Sequence, residues 1–169
     1  MRATMKRIGA VIFGMGLAAL AVRAQIVSPH RPSRAAEKNE AVEYLYPEQL
    51  SVPVGKATPV ELHFRVADGL HINSHNPSNE YLIPTTFSIP DGAGVRLDAA
   101  SYPAGKTMAL PADPKTILNV YTGEFTIRAR IVATSGNHLV EAKLRYQACD
   151  ETQCMPPKTI PVTIDVIGK

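Results

Sequence analysis

Pro59-Val60-Glu61-Leu62-His63-Phe64-Arg65-Val66 alternates along its whole length. Val60, Leu62, Phe64 and Val66 fall on one side; Glu61, His63 and Arg65 fall on the other. Side chains of a strand point alternately to opposite faces, so this pattern belongs to a half-buried β-strand and not to a helix. The same period returns in residues 124–132, with Phe125, Ile127, Ala129 and Ile131 inward and Thr126, Arg128 and Arg130 outward. It returns in 139–148 (Val140, Ala142, Leu144, Tyr146, Ala148) and in 159–167 (Ile160, Val162, Ile164, Val166). Weaker strands are read at 42–46, 70–73, 85–89 and 95–100. Proline and glycine punctuate the chain, and no long stretch holds a helical period. Seven or eight short strands, each with one apolar face, predict an all-β chain folded as an immunoglobulin-like antiparallel sandwich of two sheets.

The N-terminus has a different character. Arg2, Lys6 and Arg7 precede an apolar run over residues 8–22, and Val22-Arg23-Ala24 offers the small residues a signal peptidase reads. Residues 1–24 are therefore expected to be a cleaved signal peptide, with Ala19-Leu20-Ala21 a second cleavage candidate and an uncleaved anchor the alternative. Residues 25–39, polar and containing Pro29 and Pro32, read as a flexible tail. Residues 40–169 are expected to form one domain. The roughly 125 residues of its folded part can bury a core without a disulfide. Four of the 18 Lys and Arg residues (Arg2, Lys6, Arg7, Arg23) lie in the leader. The mature chain then carries 14 basic against 15 acidic residues, a net charge of −1. The basicity belongs to the leader and points to no nucleic acid partner. The mature chain is expected to be periplasmic and monomeric, with no membrane span.

The chain has two cysteines, in Tyr146-Gln147-Ala148-Cys149-Asp150-Glu151-Thr152-Gln153-Cys154-Met155-Pro156-Pro157. Their spacing is wider than a thioredoxin-type motif, and the set is too small for a four-ligand zinc site. It suits a short disulfide loop. Strand parity puts Cys149 with Lys143, Arg145 and Gln147, away from the core face and exposed at a strand end. Closing so short a loop stabilises the fold by only roughly 2 kcal/mol in the chain-entropy model. Asp150 and Glu151 disfavour a neighbouring thiolate, whereas Arg145 and Lys158 favour one. The residues alone leave two readings open, a surface staple and a redox switch that exchanges when docked against an activated partner thiol.

At these residues the chain resembles the periplasmic N-terminal domain of the thiol:disulfide interchange protein DsbD. The resemblance lies in Tyr146-Gln147-Ala148-Cys149, then Cys154-Met155-Pro156-Pro157-Lys158-Thr159. It is supported by Asp68-Gly69-Leu70-His71-Ile72-Asn73 and Tyr81-Leu82-Ile83-Pro84-Thr85. It implies an immunoglobulin-like fold and a redox-active Cys149–Cys154 disulfide, with Cys154 the exchanging sulfur and Cys149 the resolving one. If catalytic, the activity would be of the protein-disulfide reductase type, with no cofactor. The implied partners are thioredoxin-like or disulfide-isomerase-like periplasmic proteins. The resemblance also implies a cap loop within Met108-Ala109-Leu110-Pro111-Ala112-Asp113-Pro114, represented by Leu110, Pro111 and Asp113. The chain departs from the family in three places. Its cysteines are one residue closer than in the best-known members, its cap is neither as acidic nor aromatic, and His71 and Asn73 stand where tyrosines are common. The chain ends at Lys169, so a donor is expected to be a separate protein.

Two readings from other classes compete. One is a non-catalytic interaction module whose disulfide fixes a loop. The other is a periplasmic copper-binding protein using His71, His75, Cys149, Cys154 and Met155 as soft and imidazole ligands. No metal site is expected on the histidine spacing alone, because His71 to His75 runs from a strand into a loop. Tyr146 is read as a core residue and Asp68-Gly69 as a hairpin turn. Asn76-Pro77-Ser78 fails as a glycosylation acceptor, and neither a nucleophile elbow nor a phosphate loop occurs.

Overall fold

The computed structural model describes residues 40–46, 49–110 and 113–169. The expected signal peptide and the whole of the expected tail, residues 25–39, lie outside the described residues. The first strands in chain order are β1 (Val42–Leu45), β2 (Gln49–Val52), β3 (Thr58–Val66), β4 (His71–Asn73), β5 (Thr86–Ser88) and β6 (Val95–Ser101). They are followed by β7 (Lys106–Leu110), β8 (Asp113–Tyr121), β9 (Glu124–Ala133), β10 (Gly136–Tyr146), β11 (Ala148–Cys149) and β12 (Lys158–Gly168). The described residues contain no helix.

The strands form three four-stranded sheets, ordered β1-β3-β9-β6, β2-β12-β10-β5 and β11-β4-β8-β7. The first two are the immunoglobulin-like sandwich. Their inward positions are those of the alternating pattern: Leu62, Phe64, Ile127, Ile131, Leu144, Val162 and Val166 lose nearly all contact with water. One continuous apolar cluster draws on both sheets, as two half-buried faces require. Outward charges pair across strands: Arg65 bonds Glu124 at 2.7 Å and Arg128 bonds Glu61 at 2.9 Å. These exposed pairs add little stability.

The third sheet was not anticipated, and neither was β2. Gln49–Val52 pairs in parallel with β12, Gln49 opposite Asp165, so no local hairpin advertises it. The segment read as a cap loop is largely a hairpin, β7 against β8. The register breaks between Ala109 and Leu110, so that Ala109 faces Ile117 while Leu110 faces Asp113. Pro114 falls in this irregular part, where a missing N–H costs no ladder bond. Asp68-Gly69 does turn the chain, with Leu70 N–H donating to the Ala67 carbonyl and Gly69 at φ 77°. It makes no hairpin, because β3 and β4 belong to different sheets.

Core and surface apolar positions should separate cleanly on truncation. Ile127→Ala is expected to cost about 2–5 kcal/mol in urea denaturation. Leu139→Ala, at 76% exposure, should stay within about 0.5 kcal/mol of the parent.

Candidate functional site at the cysteine hairpin

The site begins where β10 ends. Up to Tyr146 the chain pairs with β12, Tyr146 opposite Lys158. At Gln147 it leaves that sheet, and Ala148–Cys149 pairs instead with β4: Ala148 opposite Ile72, Cys149 opposite His71. The parity of β10 does not carry through this crossing. Cys149, expected to be exposed, is only 2% exposed. It stands outside the main apolar cluster, yet it is buried where it pairs with β4 on one side and the returning chain on the other.

The four residues between the cysteines make a tight turn. Asp150 N–H donates to the Gln153 carbonyl at 2.9 Å, and Met155 N–H donates to the Ala148 carbonyl at 2.8 Å. Cys149 and Cys154 lie between these bonds as directly opposed residues, joined by a disulfide with their Cα atoms 3.9 Å apart. Cys154 is exposed. The two sulfurs of one bond therefore sit in unlike surroundings.

Asp150 builds the turn. Its Oδ1 accepts from Thr152 N–H at 2.7 Å, Thr152 Oγ1 at 2.8 Å and Gln153 N–H at 2.8 Å. The Thr152 bonds, and then Gln153, hold its carboxyl below the usual range. Lys158, read as a cation near the thiols, is engaged elsewhere: its Nζ lies 2.6 Å from Glu40 Oε2.

Gln147 fastens the crossing and was missed as a site residue. Its Oε1 accepts from Asn73 Nδ2 at 3.1 Å and from Ile83 N–H at 3.4 Å, and its Nε2 donates to the Met155 carbonyl at 3.3 Å. One amide thus ties together β4, the 83 segment and the chain returning from Cys154. A lone polar residue between apolar strands was the available signal. Thr85 completes the support, its Oγ1 donating to the Asn73 carbonyl at 2.6 Å.

The two histidines diverge. His71 is 5% exposed beside Cys149, and its Nε2 is buried without a protein hydrogen-bond partner. Burial lowers its pKa, partly offset by the Asp150 charge. His75 stacks on Tyr102 at 3.7 Å, and its Nδ1 lies 3.0 Å from the Thr85 carbonyl, which can only accept, so Nδ1 carries the proton. Among the described residues no group of three or more His, Cys, Asp or Glu gathers in a metal-holding arrangement.

Leu110 and Asp113 face each other at the tip of the β7–β8 hairpin, at the far end of β8 from Tyr121, which pairs with β4. Pro111 lies outside the described residues. Asp113 is exposed, its carboxylate accepting from Thr116 Oγ1 at 2.8 Å.

Tyr146 is a core residue, 1% exposed, its hydroxyl 3.5 Å from Glu40 Oε2. Burial first, then the Glu40 charge, pushes its pKa up to about 12. The folded value lies above the unfolded one. The stability it carries is therefore complete below the ordinary tyrosine value near 10 and is lost as pH climbs toward 12. Ultraviolet titration of the phenolate should show this late midpoint, and Glu40→Gln should bring it down. Gln147→Leu should cost about 1–3 kcal/mol by leaving buried partners unpaired. It should also lower amide protection at Met155 in hydrogen exchange.

Comparison with known proteins places this geometry. The family model described as "Thiol:disulfide interchange protein DsbD, N-terminal" matches residues 41–165. No curated protein matches the chain. Among solved structures, the chain is similar to the Neisseria meningitidis DsbD N-terminal domain in the reduced form. The identity is 20%, the match covers 68% of this chain and 82% of that one, and the TM-score is 0.46. It is also similar to AggA, the major subunit of aggregative adherence fimbriae type I from Escherichia coli. There the identity is 12%, the coverage 76% and 93%, and the TM-score 0.32. The family model takes in β1 and most of β12 together with the whole cysteine hairpin, and the chain belongs to the family of DsbD N-terminal domains, periplasmic domains of thiol:disulfide interchange proteins.

Proposed function

We propose that the mature chain is a periplasmic carrier that exchanges disulfides with partner thiol proteins through Cys149 and Cys154. The observation that carries this reading is the unequal exposure of the two sulfurs. An attacking thiolate must approach one sulfur from outside and expel the other. Cys154 is open to such an approach, and Cys149 is 2% exposed. Cys154 is then the sulfur that forms the mixed disulfide, and Cys149 the one that resolves it. The Asp150 turn holds the two opposite each other, so resolution is an intramolecular step between prepositioned groups.

The partners are thioredoxin-like or disulfide-isomerase-like periplasmic proteins, met by the chain as a monomer after residues 1–24 are removed. The chemistry is sulfur attack on sulfur and needs no cofactor. Leu110, Pro111 and Asp113 are the candidate cap; Leu110 and Asp113 pair at the end of a hairpin in the same sheet as β11. The described residues contain no helix long and apolar enough to cross a membrane.

Two measurements test the reading. In redox buffers, a reduction potential above about −300 mV is expected, outside the range of structural disulfides; a lower value leaves only a staple. Cys149→Ala should accumulate mixed disulfides with periplasmic thiol proteins while Cys154→Ala accumulates none. The reverse result would exchange the two roles.

A further inference from the structure

Beside the cysteine hairpin, on β4, stands one group with no part in the exchange: His71. Cys149 is the cross-strand partner of both His71 and Cys154. Residues directly opposite in an antiparallel ladder project to the same face, with Cβ atoms about 4.5–5.5 Å apart. His71, Cys149 and Cys154 therefore form one row across three strand segments. His71 is 5% exposed, and its Nε2 is buried with no protein partner. Natural structures leave few buried nitrogens in that condition, and each calls for an explanation, a catalytic role among them.

Cys149 has a matching need. As a thiol it must lose its proton to attack, yet a thiolate shielded from water is disfavoured. Asp150 is a poor acceptor, because its Oδ1 is already committed to Thr152 and Gln153 and its pKa is lowered. On the other flank of β4, Tyr121 donates to the Pro103 carbonyl, and Lys106 Nζ lies 3.1 Å from Thr122 Oγ1. Burial shifts His71 toward the neutral ring, the form that accepts a proton, while the Asp150 charge favours the imidazolium once formed.

We propose that His71 Nε2 is the proton acceptor for the Cys149 thiol in the resolving step. This rests on the exchange roles proposed above. The Cys149 S–H bond breaks and its proton passes to Nε2. The sulfur's electron pair forms the Cys149–Cys154 bond. The bond between Cys154 and the partner breaks, and its pair leaves on the partner's sulfur. The imidazolium then releases its proton to that thiolate or to solvent. Two electrons pass from the dithiol to the partner's disulfide. In the opposite direction the imidazolium returns the proton to Cys149 as an incoming thiolate expels it from Cys154.

The test uses the reduced full chain, oxidised glutathione as the probe, and acid quenching with mass spectrometry to count reduced, glutathionylated and oxidised protein. Formation of the adduct reports Cys154, and its decay reports Cys149. His71→Gln should form the adduct at the parent rate. It should resolve it about a hundredfold more slowly at pH 7, the usual weight of a general base, with the deficit shrinking toward alkaline pH. Equal decay rates and coincident pH profiles in parent and variant would overturn the proposal for His71 alone. A parent protein that never forms or resolves an adduct would overturn the exchange reading as well. NMR titration of His71 in the unaltered protein guards against a variant that does not fold. Its midpoint should differ between the dithiol and disulfide forms, and an identical midpoint in both would overturn the proposal.

Discussion

The site depends on one crossing. At Gln147 the chain leaves the sheet of β10 and β12 and enters the sheet of β4 and β8. A strand that changes sheets exposes backbone groups at the change, and buried backbone groups must be paired. The Gln147 carbonyl accepts from Asn73 N–H at 3.3 Å, and its side chain reaches Asn73, Ile83 and Met155. These bonds hold Cys149 against β4 and bring the return strand back beside it. The tight turn, the opposed cysteines and the covered His71 all follow from that placement.

The crossing also makes the two sulfurs unequal. A disulfide at the end of a regular edge strand would present both sulfurs to water. Here one is buried beside β4 and the other is exposed. Under the proposed exchange, such asymmetry would direct attack to one sulfur by access alone, before any difference in thiol pKa enters. The local charges contribute less than their count suggests, because Asp150 is turned into its own loop and Lys158 is held by Glu40.

Much of the sandwich was legible from alternation, and the reason is burial. Where one face packs on a core and the other meets water, composition must alternate, as Val60 to Val66 and Phe125 to Ile131 do. β2 and β8 were illegible for the complementary reason. β2 is short and finds its partner more than a hundred residues away. β8 opens Asp113-Pro114-Lys115, where turn chemistry masks a strand. His71 to Asn73 is buried on both faces, so it shows no alternation at all.

The sequence by itself determined the all-β class, the inward residues of the main strands, the proximity of the two cysteines and the likeness to the DsbD N-terminal family. Each of these is written in neighbours along the chain, in a period of two or in a short motif. Only the tertiary structure decided that Cys149 is covered while Cys154 is open, that Gln147 clasps the hairpin, and that His71 rather than His75 stands beside the sulfurs. These depend on which strand pairs with β11. That choice is made by contacts between residues more than seventy positions apart, and no local pattern along the chain records it.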